Sequence, residues 1–277
     1  MNYKIVADSS SNLFRLEGVP YACAPLKVIT DTKEYVDTPE LDVFEMLEEL
    51  KADKKPATTS CPNVYEWKEA FEGADGIFAV TITSGLSGSC TAAKQAAADY
   101  EEEHPGARVC VLDTLSVGPE MVLIMEKLRD LINEGKSFDE IETEIRDYMQ
   151  NHTRLLFFCE SLENMARNGR VSYTVAKLVG VLGIRVVGTA SAEGTLEPLH
   201  KCRGQKKTLS TIWEEMKKNG YKGGKVRLDH CLNLQAAVDL KEIIRREFPE
   251  ANVAIGTCTA LCSYYAEQGG MILSYEV

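Results

Sequence analysis

Positive charge is scarce in this chain: 31 Lys and Arg face 42 Asp and Glu, a net charge of −11. A protein whose main task is gripping a nucleic-acid backbone needs the opposite balance, so no nucleic-acid partner is expected. Any anion site must therefore be local. Long apolar runs are missing too. None approaches the ~18 residues that cross a bilayer, and stable membrane insertion is not expected. Met1–Asp8 has neither the charged and apolar regions nor the small-residue cleavage signal of a secretory leader, and none is expected. Histidine is rare, with four in 277 residues, at positions 104, 152, 200 and 230. None lies in a nucleophile elbow or at metal-ligand spacing, which removes the usual base from serine or thiol catalysis. Cysteine is present nine times, an odd and scattered set. Reduced, mostly buried thiols of a cytoplasmic protein are expected. Cys258 and Cys262 are one helical turn apart but lack the partners of a zinc site, and no metal or cofactor is expected.

What is present is alternation. Short β-rich runs alternate with helix-compatible periods, the pattern of an α/β protein. Tyr3–Ala7 reads as a strand broken by the polar run Asp8-Ser9-Ser10-Ser11-Asn12. Thr38 and Pro39 read as the N-cap and first residue of a helix striped by Leu41, Phe44, Leu47 and Leu50. Gly76–Thr83 reads as a strand, Ser89–Glu103 as an alanine-rich helix and Arg108–Leu112 as the next strand. Helices are expected over Val117–Asn133 and Phe138–Tyr148. The character changes near residue 150, giving two expected domains, 1–150 and 151–277. In the second, Leu155–Phe158 is strongly apolar, and Ile184–Ala190, Lys225–Leu228, Val253–Ile255 and Met271–Tyr275 read as strands. Helical pieces are expected around Leu162–Ala166 and Tyr173–Val179, with longer helices through Trp213, over Leu234–Phe248 and through Tyr264-Tyr265.

Open α/β sheets place ligands at the carboxyl ends of their strands. The loop Ser84-Gly85-Leu86-Ser87-Gly88-Ser89 lies there, between an apolar strand and a helix start. Its amides and hydroxyls suit a carboxylate or phosphate. It lacks the Gly-Lys-Ser/Thr of a Walker loop and the spaced glycines of a dinucleotide site. A glycine turn with a serine cap is the plainer alternative. A second hydroxyl cluster, Thr58-Thr59-Ser60-Cys61-Pro62, precedes the helix of Trp67 and Phe71 and also reads as an ordinary helix start. Asp8 orients a neighbouring hydroxyl or caps a helix. Arg170, next to the turn glycine Gly169, and Arg203, near Lys206 and Lys207, are cations positioned for an anion or a partner.

These residues carry a resemblance. Lys4-Ile5-Val6-Ala7-Asp8-Ser9, Thr59-Ser60-Cys61-Pro62, Leu86-Ser87-Gly88-Ser89 and Leu162 through Arg170-Val171-Ser172 are similar, in order and spacing, to motifs of the DegV family. The resemblance covers nearly the whole chain and continues through Glu193-Gly194, Leu196, Pro198, Lys201, Arg203 and Lys206-Lys207. It implies a two-domain α/β fold with a long-chain fatty acid in the cleft between domains. The carboxylate would be held by Thr59 and Ser87, with Ser84, Gly85 and Gly88 shaping the loop and Ser9 and Ser60 as further ligand-binding candidates. It also implies a binding subunit, not an enzyme, presenting the carboxylate to a separate ATP-dependent fatty acid kinase. Arg170 and Arg203 would touch that partner or a phosphate. One departure stands out. The family carries a histidine near its carboxyl terminus, whereas this chain has Thr259-Ala260-Leu261-Cys262-Ser263-Tyr264-Tyr265 there. Cys262 or Ser263 takes that position, with Tyr264 or Tyr265 as a replacement donor. The competing expectation is an acyl hydrolase or transferase using Ser87 or Cys262.

Overall fold

The computed structural model describes residues 1–53, 56–177, 179 and 183–277. The first part of the chain runs β1 (Tyr3–Asp8), β2 (Tyr21–Ala24), β3 (Lys27–Ile29), β4 (Glu34–Val36), α1 (Val43–Ala52), β5 (Thr58–Ser60), α2 (Val64–Phe71), β6 (Gly76–Thr81), α3 (Ser89–Glu103), β7 (Arg108–Asp113), α4 (Pro119–Asn133) and α5 (Phe138–Asp147). Four of these strands form a parallel sheet in the order β2-β1-β6-β7. Its central strand β6 is buried along its whole length, as a parallel strand covered on both faces must be. α4 and α5 cover one face through Leu128, Leu131, Ile141 and Ile145. On the other, Ala93, Ala96 and Ala97 bring α3 close to the strands, beside Trp67 and Phe71 of α2. The short strands β4-β3-β5 make a separate antiparallel sheet that carries Thr59.

The rest of the chain runs β8 (Thr153–Cys159), α6 (Glu163–Arg167), α7 (Tyr173–Ala176), β9 (Ile184–Ala190), β10 (Leu196–Arg203), α8 (Gln205–Lys218), β11 (Val226–His230), α9 (Leu234–Glu247), β12 (Val253–Thr257), α10 (Ala260–Ala266) and β13 (Met271–Glu276). All six strands join one sheet, β10-β9-β8-β13-β11-β12, antiparallel except for the β11–β12 pair. α8 and α9 seal one face through Ile212, Trp213, Met216, Leu240 and Ile244. The alternating residues Leu155, Phe157, Cys159 and Ile272 point to the opposite face, where Val117 of the first half packs against them. α4 touches β1 and β6 of the first sheet and β8, β11 and β13 of the second. It is the shared layer around which the two sheets are assembled.

The mixed α/β class stands, with corrections of detail. The first helix starts at Val43, not at Pro39: Asp42 caps it by accepting the Glu45 N–H at 3.0 Å. Thr38-Pro39-Glu40 is instead a turn, with Leu41 N–H donating to Thr38 O at 3.2 Å. The strand begun at Gly76 ends at Thr81 and the helix expected from Val117 begins at Pro119. Of the helix expected over Tyr173–Val179, Tyr173–Ala176 is helical, and Leu178 lies outside the described residues. The strands β2, β3, β4, β5 and β10 carried no period that the sequence reading used. Most are three or four residues long.

Candidate functional site

The loops at the ends of β1 and β6 are braced from beneath. Asp8 is fully buried, and one carboxylate oxygen accepts the Ile82 N–H at 2.9 Å and the Ser89 hydroxyl at 2.6 Å. The Ser10 hydroxyl donates to the other. One side chain thus ties the end of β1 to the segment after β6 and to the first residue of α3. Burial holds its carboxyl above the usual carboxylate range, against the pull of these donors. Above it, Ser84 N–H donates to Asp113 at 3.0 Å and Gly85 N–H to Thr83 Oγ1 at 3.0 Å, which sets the loop's shape. α3 has no side-chain cap at Gly88, so the positive end of a 15-residue helix faces the space beyond.

That space is a cavity of about 300 Å³ where the two halves meet. Thr59, Cys61, Ser87, Gly88, Arg170 and Tyr265 converge on it from separate elements. The Thr59 and Tyr265 hydroxyls are 2.7 Å apart, and the Arg170 guanidinium lies 5.8 Å from the Tyr265 ring centre. Arg170 is pinned by donating to Leu86 O at 3.3 Å and Asn168 O at 2.6 Å. Among the described residues it is the only charged side chain lining the cavity, and it has no carboxylate partner there. Burial keeps the Tyr265 hydroxyl protonated by raising its pKa, so it stays a neutral donor. Away from these groups the wall is mostly apolar, with Leu26, Ile82, Leu155, Phe157, Leu261 and Ile272 interrupted by a few hydroxyls such as Thr83 and Ser116.

α10, which carries Tyr265, is fixed by a chain of buried polar groups. Asp37, 1% exposed, accepts the N–H groups of Ala260 at 2.8 Å and Leu261 at 3.2 Å, a helix cap supplied from far away in sequence. Thr259, just before α10, has its hydroxyl 3.0 Å from Asp37 and its N–H donating to Asn12 Oδ1 at 3.0 Å. Asn12 takes the left-handed conformation (φ 59) that lets its amide reach both ways, and donates to Asp229 at 2.8 Å. Burial pushes the Asp229 carboxyl up to about 7.

The residues singled out from sequence fall into two groups. Thr59, Ser60, Ser87, Gly88, Arg170 and Cys262 line the cavity. Ser9, Ser263, Ser84, Gly85 and Arg203 do not. Ser9 is fully buried and its hydroxyl accepts the Leu26 N–H at 2.9 Å; Ser263 donates to Cys258 O at 2.9 Å. Both are already satisfied as internal bracing. Ser84 and Gly85 are exposed on the outer side of the loop. Arg203 is exposed, and pairs with Ile184 at the end of the β9–β10 hairpin away from Leu196, a separation of roughly 20 Å along the strand. It ends β10 and is not in the helix, because Gly204 intervenes before α8. Of the two tyrosines, Tyr265 lines the cavity, while Tyr264 is buried with its hydroxyl donating to Ala57 O at 2.7 Å. Sequence reasoning missed the Leu115–Val117 loop and the Thr189–Leu196 turn of the hairpin, which also line the cavity. The positive-φ glycine at 194 was the available signal for the second.

Among the described residues neither Ser87 nor Cys262 has a hydrogen bond to a general base. The Cys262 thiol donates to Ser10 O at 3.3 Å, and burial drives its pKa well above the ordinary thiol value. The buried thiol stays protonated, the unreactive form. Ser87 accepts the Ser89 N–H at 3.3 Å. No histidine lines the cavity: His104, His152 and His200 bond to Tyr100 O, Asp147 and Glu215, and His230 accepts the Asn233 N–H. Among the described residues no cluster of His, Cys, Asp and Glu has the arrangement of a metal site.

Two α/β sheets around a shared helix, with a mostly apolar cavity ending in hydroxyls and one arginine, define the class of protein. The chain belongs to the DegV family: the family's model, described as an uncharacterised protein of the DegV family, matches residues 2–276. It is similar to a DegV family protein from Eubacterium eligens loaded with heptadecanoic acid, with a TM-score of 0.97 and 45% identity over 99% of both chains. It is equally similar in fold to the Fatty Acid Kinase (Fak) B3 protein of Streptococcus pneumoniae loaded with linoleic acid, with a TM-score of 0.97 and 40% identity over the full length of both. A DegV domain-containing protein of S. pneumoniae strain R6 is 40% identical over 281 residues, again spanning both chains completely.

Proposed function

We propose that the cavity holds a long-chain fatty acid whose carboxylate lies among Thr59, Ser87, Tyr265 and Arg170. The protein then presents that carboxylate to a separate ATP-dependent fatty acid kinase and performs no chemistry alone. The observation that carries this reading is Arg170, the single charge among the described residues of the wall. An uncompensated carboxylate in such a cavity is costly, and an uncompensated arginine equally so. Each is the other's remedy. The tail supplies most of the affinity, at roughly 0.8 kcal/mol per buried CH₂. The polar cluster fixes which end faces outward. The two relatives carrying fatty acids support the ligand class, and the Fak B3 relative supports the partner.

Two further parts belong to the same reading. Residues 1–150 and 151–277 act as two domains with the lipid between them, supported by the segregation of strands into sheets on either side of residue 150. Arg203 serves partner contact rather than the lipid, since it is exposed and distant from the cavity. A cytoplasmic setting is supported by nine free cysteines, seven of them buried, and no described helix is long and apolar enough to cross a membrane. Native mass spectrometry of protein purified without added lipid, followed by organic extraction, tests the core claim. A co-purifying or titratable long-chain acid is expected. A folded protein that retains none and takes up none on titration overturns the reading.

A further inference from the structure

The head-group loop is roofed by a hairpin turn from the other half of the chain. β9 pairs with β8 only through Val186, Val187 and Gly188. Past Gly188, β9 and β10 pair with each other alone. Residues 189–196 therefore project from the sheet as a two-stranded flap whose inner side, through Thr189, Ala190, Gly194, Thr195 and Leu196, is cavity wall. The tip is stiff, with Ser191 N–H donating to Thr195 O at 2.7 Å and Gly194 N–H to Ser191 O at 2.9 Å.

This tip meets the first half through glycines. Gly194, at φ +71, is so close to Thr83 that a Cβ there would collide with Thr83 Oγ1, and it would lie 3.0 Å from the Leu115 Cα. A Cβ on Gly85 would lie 2.5 Å from Glu193 O. Leu115 itself is held in the left-handed region at φ 51, an unusual conformation for leucine. Yet among the described residues no hydrogen bond joins 191–195 to 83–88 or 113–117. Elsewhere the halves are bonded together, as at Asn12–Asp229 and Glu126–Arg227. A seam packed closely but joined only by van der Waals contact opens without stranding a polar group. One bond fastens the flap's root, Thr189 Oγ1 donating to Leu155 O at 2.7 Å. Gly188 sits on the Phe157 ring so tightly that a Cβ would strike it, which makes the flap's base a close pivot over the cavity.

We propose that residues 189–196 are the door of the cavity, opening at the Gly85–Gly194 seam to pass the lipid in and out. The proposal rests on the fatty-acid reading for its cargo but not for its motion. Gly194→Val tests it by wedging the seam against Thr83. Gly204→Val is the control, since Gly204 has a similar φ of +77 at the hairpin's other end but nothing within 4 Å of its Cβ. Transfer of a pyrene-labelled fatty acid from loaded protein to excess albumin would be followed by stopped flow. Hydrogen–deuterium exchange would be read on the ligand-free proteins.

The wedge is expected to speed transfer ~10-fold or more, with faster exchange confined to the flap and to the loops around residues 83–88 and 113–117, while the control does neither. Wild-type transfer rates in a folded, lipid-binding Gly194→Val protein would overturn the proposal. If the wild type binds no fatty acid, the cargo reading fails separately. The door is then judged on exchange alone: paired loosening of flap and loops supports it, and unchanged protection there overturns it.

Discussion

Two polar clusters, each assembled from both halves of the chain, do opposite work. In the Asp8, Asp37, Asn12, Thr259 and Asp229 set all but the half-buried Asn12 are buried, and each member has found protein partners. The Thr59, Ser87, Arg170 and Tyr265 set is half-buried or at the cavity wall, and its donors retain unused capacity. Chemistry at the residue level does not separate them, since both hold hydroxyls beside charges. Satisfaction does: a buried polar group that already has its partners is bracing, and one aimed into an apolar space with capacity to spare awaits a ligand.

The sharpest break between the clusters is expected at Asp8. Asp8→Ala leaves the Ile82 amide and the Ser10 and Ser89 hydroxyls without their acceptor, a loss of about 3 kcal/mol or more in urea unfolding. A change below 1 kcal/mol would place Asp8 outside the bracing group. Asp229 gives the pH dependence of the same set. Its carboxyl is raised from 3.8 to about 7 by burial, so the folded state holds the proton more tightly than the unfolded one. Stability is therefore greatest at low pH for this group, falls as pH rises from about 4 to 7, and is level above that. Asp229→Asn keeps an acceptor for Asn12 and is expected to flatten that slope, gaining on the order of 4 kcal/mol over wild type at pH 8 relative to pH 4. An unchanged slope from urea midpoints across that range would show that Asp229 is not the group responsible.

The ligand-facing cluster should respond in affinity and not in stability. Arg170→Met removes the only charge that the described residues bring to the wall. Fatty acid affinity is expected to fall ~30-fold, about 2 kcal/mol, while affinity for the matching fatty alcohol falls far less. Ser87→Ala follows the same pattern at ~5-fold, close to 1 kcal/mol. Equal losses for acid and alcohol in isothermal titration would remove either residue from carboxylate recognition.

Much of the secondary structure was legible because local signals agreed. The helix over Ser89–Glu103 and the strand Ile184–Ala190 have in the structure the limits expected from composition and flanking glycines. The misplaced start of the first helix shows where local signals conflict. Thr38-Pro39 offers good capping chemistry, but the neighbouring Asp37 is drawn inward to cap α10, and the chain turns there before Asp42 begins the helix. Pairing partners of three-residue strands lie outside any local window, so the sheet that carries Thr59 was invisible as a sheet.

The site divides along the same line. Thr59, Ser87 and Arg170 drew attention through motifs that set hydroxyls before a proline or beside glycines and a cation after one, and all three line the cavity. Ser9 and Ser263 have equally suitable side chains, and only the folded chain shows that Leu26 N–H and Cys258 O have already claimed them. Between Tyr264 and Tyr265 the sequence offers no choice; the rotation of α10 turns one toward Ala57 and the other toward Thr59. Sequence by itself determined the alternation of strands and helices, the acidic surface and the chemistry of the candidate donors, because these are local properties. Which donors remain free for a ligand was decided by tertiary structure, because a hydrogen bond such as that of Tyr264 to Ala57, 207 positions away, leaves no trace in the local sequence.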